Sequence, residues 1–120
     1  MKKAVFKPGE NIAVKVPSDE FEKTVAFYRD LIGLTVVRTT EDGSVAFEFG
    51  SKKLWVDRVP TLSQAEIWLE LSTTDTAAAA KQLARNGVVR RDEIEPLPSD
   101  MKAFWIKGPS GIIHLVSHGE

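Results

Sequence analysis

Two histidines, His114 and His118, and no cysteine are what this 120-residue chain offers beyond carboxylates toward metal ligation or nucleophilic chemistry. Without cysteine there is no disulfide framework, thiolate nucleophile or zinc knuckle, so a metal would have to be held by His, Asp, Glu or backbone oxygen. The carboxylates with suggestive spacing are Glu66 and Glu70, which flank Trp68, and Asp57, two residues after Trp55. In a strand, a two-residue interval brings acid and indole to one face. Trp105 sits in a comparable run, Ala103-Phe104-Trp105-Ile106-Lys107. Indole faces beside carboxylates suit a flat or cationic organic ligand, and an apolar hollow with a few polar groups is the usual form of a small-molecule site. The competing explanation for each tryptophan is plain core packing.

Other chemistries find no support. Gly108-Pro109-Ser110-Gly111 is not a nucleophile elbow, and no glycine-rich phosphate loop follows a strand. Sixteen basic against 17 acidic side chains give a formal charge of -1, so no long-range field points to nucleic acid or an anionic membrane. Arg90-Arg91 and Lys52-Lys53 are short basic pairs among acids and read as solvated faces. Ala4-Val5-Phe6 is broken by Lys7-Pro8-Gly9, too short for a signal peptide, and no apolar run approaches a membrane span. The expectation is a cytoplasmic protein.

The elements that must position these side chains follow from periodicity. Residues 12–16 alternate as a strand, and Pro17-Ser18-Asp19 punctuates it. Asp19 with Glu22 reads as a capping box, and Phe21, Val25, Tyr28 and Ile32 continue a helix until Gly33 stops it. Strands are predicted over 34–40, 45–49 and 53–59, with Glu41-Asp42-Gly43 as a hairpin turn. The order then repeats: a strand over 66–72, a helix from Thr74 or Asp75 to Asn86-Gly87, and strands over 88–93, 101–107 and 112–117. The reading is one α+β domain over residues 1–120 built of two βαβββ modules, 10–60 and 65–118, an internal duplication of roughly 50 residues.

Each single helix should cover one face of its sheet, so Ile12, Val14 and Val16 are expected against the first helix and Ile67, Leu69 and Leu71 against the second. The opposite faces carry Asn11, Ala13 and Lys15, then Glu66, Trp68 and Glu70, and by the same alternation His114 with Ile112 and Val116. The facing of Trp55 and Trp105 turns on a one-residue register choice that the sequence leaves open. The Glu95-Pro96-Leu97-Pro98-Ser99 stretch reads as a loop at the rim of these faces.

This pattern resembles the vicinal oxygen chelate superfamily, which contains glyoxalase I, extradiol dioxygenases and the fosfomycin and bleomycin resistance proteins. The matching residues are Ala26-Phe27-Tyr28-Arg29-Asp30-Leu31-Ile32-Gly33-Leu34, the helix ending Leu83-Ala84-Arg85-Asn86-Gly87, and the turn Lys107-Gly108-Pro109-Ser110-Gly111 before the last strand. The resemblance implies that the sheets curve into a cup, that the helix-free faces line it, and that family enzymes hold one divalent metal there as a Lewis acid. It maps the usual first-strand ligand near Asn11, the fifth-strand ligand to Trp68 or Glu66, and the last-strand ligand to His114 or Leu115. On the fourth strand it puts Trp55 near the expected carboxylate, with Asp57 two residues on. Asparagine is a poor ligand and tryptophan none, so the usual quartet is absent and two histidines near one end cannot serve both modules.

The reading is therefore a small-molecule-binding protein of the glyoxalase and bleomycin-resistance type, with its ligand among Trp68, Glu66, Glu70, His114, Asn11, Trp55 and Trp105. No cofactor is expected. The resemblance further implies a homodimer and an antibiotic-resistance-like sequestering role, with no nucleic-acid or membrane partner. The alternatives are a metal-dependent lyase, isomerase or dioxygenase using His114, Glu66, Glu70 and Asp57, with His114 as the candidate acid-base group, and a structural or regulatory module with no ligand.

Overall fold

The computed structural model describes residues 3–119. Its elements are β1 (Lys7–Val16), α1 (Phe21–Ala26), β2 (Val36–Thr39), β3 (Val45–Phe49), β4 (Lys52–Arg58), β5 (Glu66–Thr73), α2 (Thr76–Arg85), β6 (Ala103–Lys107) and β7 (Ile113–His118). Two compact units divide the chain: Glu10–Trp68, and Leu69 onward together with the segment ending at Gly9. The fold is α+β, as expected.

In the first unit the strands run β2-β3-β4-β1, with β1 parallel to β4 and the other neighbours antiparallel. Alternation in β1 turns Val14 and Val16 toward α1, where they join Phe21, Val25, Val45, Phe47, Leu54 and Val56 in a closed core, with Ile12, Tyr28 and Leu34 packed against it. The helix does not begin on the predicted capping box. A short 3-10 turn over Ser18–Glu20 leads into α1, and neither start carries a side-chain cap. Beyond Ala26 the helix widens to a π-helical turn over Phe27–Ile32 and ends at Gly33, whose φ of 84° is the left-handed stop the sequence called for.

The second unit repeats the parallel pairing of first and last strands: β5 runs beside β7, and β7 is antiparallel to β6. Ala79 of α2, Phe104, Ile106 and Val116 form its core, packed by Ala4, Phe6, Ala80, Leu83 and Val88. Asp75 caps α2 by accepting from the Ala78 amide at 3.0 Å, and Gly87, also at φ 84°, follows its end.

The strand expected over 88–93 is reduced to a single bridge between Arg90 and Ile106. After the Arg91 amide donates to the Trp105 carbonyl at 2.7 Å, the chain turns, with Ile94 bonding back to Arg91. Arg90 meanwhile pairs with Asp92 two residues on, an exposed contact at the start of this turn. Ile67 and Leu69, expected beneath the second helix, remain substantially exposed. Leu71 alone of the three pairs with the core residue Val116.

Candidate functional site

Strand register settles which side chains share the helix-free face of the first unit. Asn11 pairs with Lys53, Ala13 with Trp55 and Lys15 with Asp57 across β1 and β4. Trp55 in turn pairs with Ala46, and Ala46 with Arg38. Paired residues project to the same side, so the open choice about Trp55 resolves to the face opposite α1.

There the groups engage one another. Trp55 donates its indole Nε1–H to Asn11 Oδ1 at 2.8 Å, and the Arg38 guanidinium lies 5.9 Å from its ring centre. Lys15 is only 5% exposed. Its Nζ is 2.9 Å from Asp57 Oδ2 and 4.3 Å from the ring centre of Trp68. Trp68, itself buried, donates its Nε1–H to Glu66 Oε1 at 3.0 Å. A buried ammonium is tolerated only when its charge is matched, and here a carboxylate and an indole face do so together. Sequence reasoning put Lys15 on this face without giving it a role and passed over Arg38. The signal that could have raised both is register: aligning β1 with β4 sets Lys15 opposite Asp57, and aligning β2 with β3 brings Arg38 to the row of Trp55.

The remaining expected residues lie in the second unit, where register puts Glu70 and Trp105 on one face, either side of Leu115, and His114 on the other. Glu70 accepts from Ser117 Oγ at 3.1 Å and packs on Gly9, where an added Cβ would come within 2.4 Å of its Cγ. Trp105 is buried and on the same side as Leu115; its Nε1–H donates to the Glu95 carbonyl at 2.9 Å, fixing the start of the Glu95–Ser99 loop. His114 is a correction. It pairs with Leu69 and Ile106, which puts it on the side of Phe104 and Val116 that α2 covers, not beside Glu70. The expected alternation took Val116 as a helix-free residue, whereas that valine is fully buried core and carries His114 over with it. The His114 ring is half-buried, its Nδ1 lying 3.1 Å from the Ile112 carbonyl.

Within either unit the expected donors do not assemble a divalent-metal site. Within either unit, among the described residues, no three His, Asp or Glu side chains come together as a ligand group. The Asn11 oxygen accepts from Trp55, Asp57 faces an ammonium that would repel a cation, and His114 and Glu70 point to opposite sides of their sheet. A cleft of about 450 Å³ between the end of β1 and the start of α1, lined by Val16, Pro17, Asp19, Glu20, Thr24 and Ser63 among others, contains none of the expected residues. Among the described residues no helix is long and apolar enough to cross a membrane.

A βαβββ unit with one helix-covered and one tryptophan-bearing face, followed by a unit with the same parallel pairing of first and last strands, defines the paired-module α+β class. Solved structures of that class superpose on the chain. Methylmalonyl-CoA epimerase from Mycobacterium tuberculosis matches with a TM-score of 0.68 at 11% identity, over 100% of this chain and 93% of its own. A glyoxalase/bleomycin resistance protein/dioxygenase superfamily member from Vibrio splendidus gives 0.63 at 11%, covering 96% and 100%. The Mn(II)-bound glyoxalase from Novosphingobium aromaticivorans gives 0.65 at 18%, over 96% of this chain and 40% of its own. A search of curated protein sequences finds no match. The profile of the glyoxalase-like domain matches residues 12–107, and the chain belongs to that family, within the glyoxalase/bleomycin resistance/dioxygenase, or vicinal oxygen chelate, superfamily.

Proposed function

We propose that the protein binds a small organic molecule on the helix-free face of its first unit, in the manner of the glyoxalase and bleomycin-resistance type, without a divalent metal. The observation that carries this reading is the mutual engagement of Asn11 with Trp55 and of Lys15 with Asp57 and Trp68. The positions that metal chemistry would draw on are tied into an aromatic, hydrogen-bonded surface. Trp55, half-buried, offers a ring for stacking, while the more buried Trp68 forms the floor beneath Lys15. On this reading the protein works in the cytoplasm as a homodimer.

Two measurements test it. The purified protein should carry well under one equivalent of Mn, Ni, Zn or Fe and show no thermal shift when any is added. A metal at a hundred times its dissociation constant would add about 2.7 kcal/mol, a rise of several degrees at this size. Stoichiometric metal would replace this reading with a metal-dependent lyase, isomerase or dioxygenase. Planar aromatic probes should also bind saturably, and Trp55→Ala should abolish that binding with the circular dichroism spectrum unchanged. Binding that persists in Trp55→Ala would refute the assignment to this face.

A further inference from the structure

We infer that the ligand of this face is a planar organic anion, a conjugated or aromatic carboxylate, that stacks on Trp55 and sets its carboxylate on Arg38. The inference rests on the binding reading above and adds the charge of the ligand to it.

Tryptophans beside acids suggest a cationic ligand, but here the cation is already present in the chain. Lys15 occupies the Trp68 ring at 4.3 Å and holds Asp57 at 2.9 Å. A cationic ligand would have to displace a tethered ammonium that loses no translational freedom by being there, a competition it enters at a disadvantage. Glu66 spends one of its two oxygens on the Trp68 indole hydrogen, which ties its carboxylate to the edge of that ring and away from Trp55. Asp57 is thus committed to the chain's own ammonium.

The cation at Trp55 is in a different state. Arg38 is exposed on β2 and, among the described residues, has no carboxylate partner. Its distance of 5.9 Å from the ring centre is at the outer limit of a cation–π contact, so the guanidinium is not packed flat on the indole. Its planar fork of donors matches a carboxylate in two parallel hydrogen bonds. The Trp55 indole is half-buried and anchored through Nε1 to Asn11, which fixes its plane in advance. Its register neighbours on both sides are alanines, Ala13 and Ala46, which add no bulk beside the ring. An anchored π-surface next to an uncommitted guanidinium is complementary to a flat carboxylate, and to neither a cation nor a neutral amide in the same measure.

The test compares three probes sharing the styryl frame by titration calorimetry: trans-cinnamate, its isostere cinnamamide, and cinnamylamine. Cinnamate should bind at least about tenfold more tightly than either of the others. Raising salt from roughly 50 to 500 mM should weaken cinnamate while leaving the amide unchanged. Arg38→Gln should bring cinnamate down to the level of the amide without altering the amide's own affinity, and Arg38→Lys should keep part of the preference, having charge without the fork. Cinnamylamine binding as tightly as cinnamate, equal binding of cinnamate and its amide, or a preference that survives Arg38→Gln would each overturn the inference while the binding reading stands. Failure of all three probes would overturn both.

Discussion

Replacing Lys15 with methionine isolates the interaction on which the helix-free face is built. The Lys15 and Asp57 side chains are 6% and 18% exposed, so deleting the ammonium leaves a carboxylate with little access to water. Breaking a buried pair from one side costs about 3–5 kcal/mol. The residual exposure of Asp57 admits some hydration, so about 2–3 kcal/mol is expected here. Loss of the cation–π contact with Trp68, about 1 kcal/mol, is offset by a methionine sulfur against the same ring, about 0.3–1.5 kcal/mol. The net effect is therefore that of the ion pair. With a urea slope of about 2 kcal/mol per molar, the unfolding midpoint followed by tryptophan fluorescence should fall by about 1–1.5 M. Lys15→Met combined with Asp57→Leu should recover to within about 1 kcal/mol of the parent, because an apolar pair of similar volume replaces the ions; with each single change costing about 2 kcal/mol or more, the cycle should give a coupling of at least about 3 kcal/mol. A midpoint that barely moves in Lys15→Met, or a double variant as unstable as the two single changes added, would refute the account of Lys15 as a matched buried cation.

Gly9→Ala would push a methyl group to 2.4 Å from Glu70 Cγ and 2.7 Å from its Cβ, a clash at the base of the side chain and not at its mobile tip. A destabilisation of about 1–3 kcal/mol by urea unfolding is expected, relieved when Glu70→Ala is added, and an unchanged midpoint would mean that Glu70 moves aside without loss. His114→Ala should leave binding of the planar probes unaltered and cost less than about 1 kcal/mol through the lost contact with the Ile112 carbonyl. A tenfold loss of probe affinity in that variant would return His114 to the site.

The fold was legible because its signals are local and repeat. Gly33 and Gly87 each end a helix in the left-handed conformation, and each precedes a valine, at Val36 after a short gap and at Val88 directly. Alternation in β1 separates Val14 and Val16 from Asn11 and Lys15 without reference to any other strand. The lost strand over 88–93 shows where that reasoning ends. The valines favour extension, but only Arg90 finds a ladder partner, at Ile106, and the chain turns directly afterwards where Ile94 bonds back to Arg91, a tertiary outcome that propensity does not register. The assigned face of His114 failed for a related reason. From Ile112 to Val116 apolar residues stand at both parities, so composition does not distinguish the two sides of the last strand there and only the pairing of Val116 with Leu71 and Phe104 does.

The candidate face was legible in its tryptophans and illegible in its charges, and the difference is physical. An indole in an alternating strand announces a large apolar surface whatever lies opposite. A lysine there reads as solvated, because nothing in its own neighbourhood says that a carboxylate faces it from a strand 42 positions along the chain. Once that partner is known, Lys15 changes the chemistry of every group near it. It converts Asp57 from a candidate metal ligand into a counter-ion and takes the Trp68 ring that would have drawn a cationic ligand. Arg38 is then left as the cation open to a ligand at Trp55. Asp57, one of the acids that made the sequence look suited to a cation, is the residue holding the chain's own cation in place, and with Arg38 open at Trp55 that is why the face is expected to select an anion.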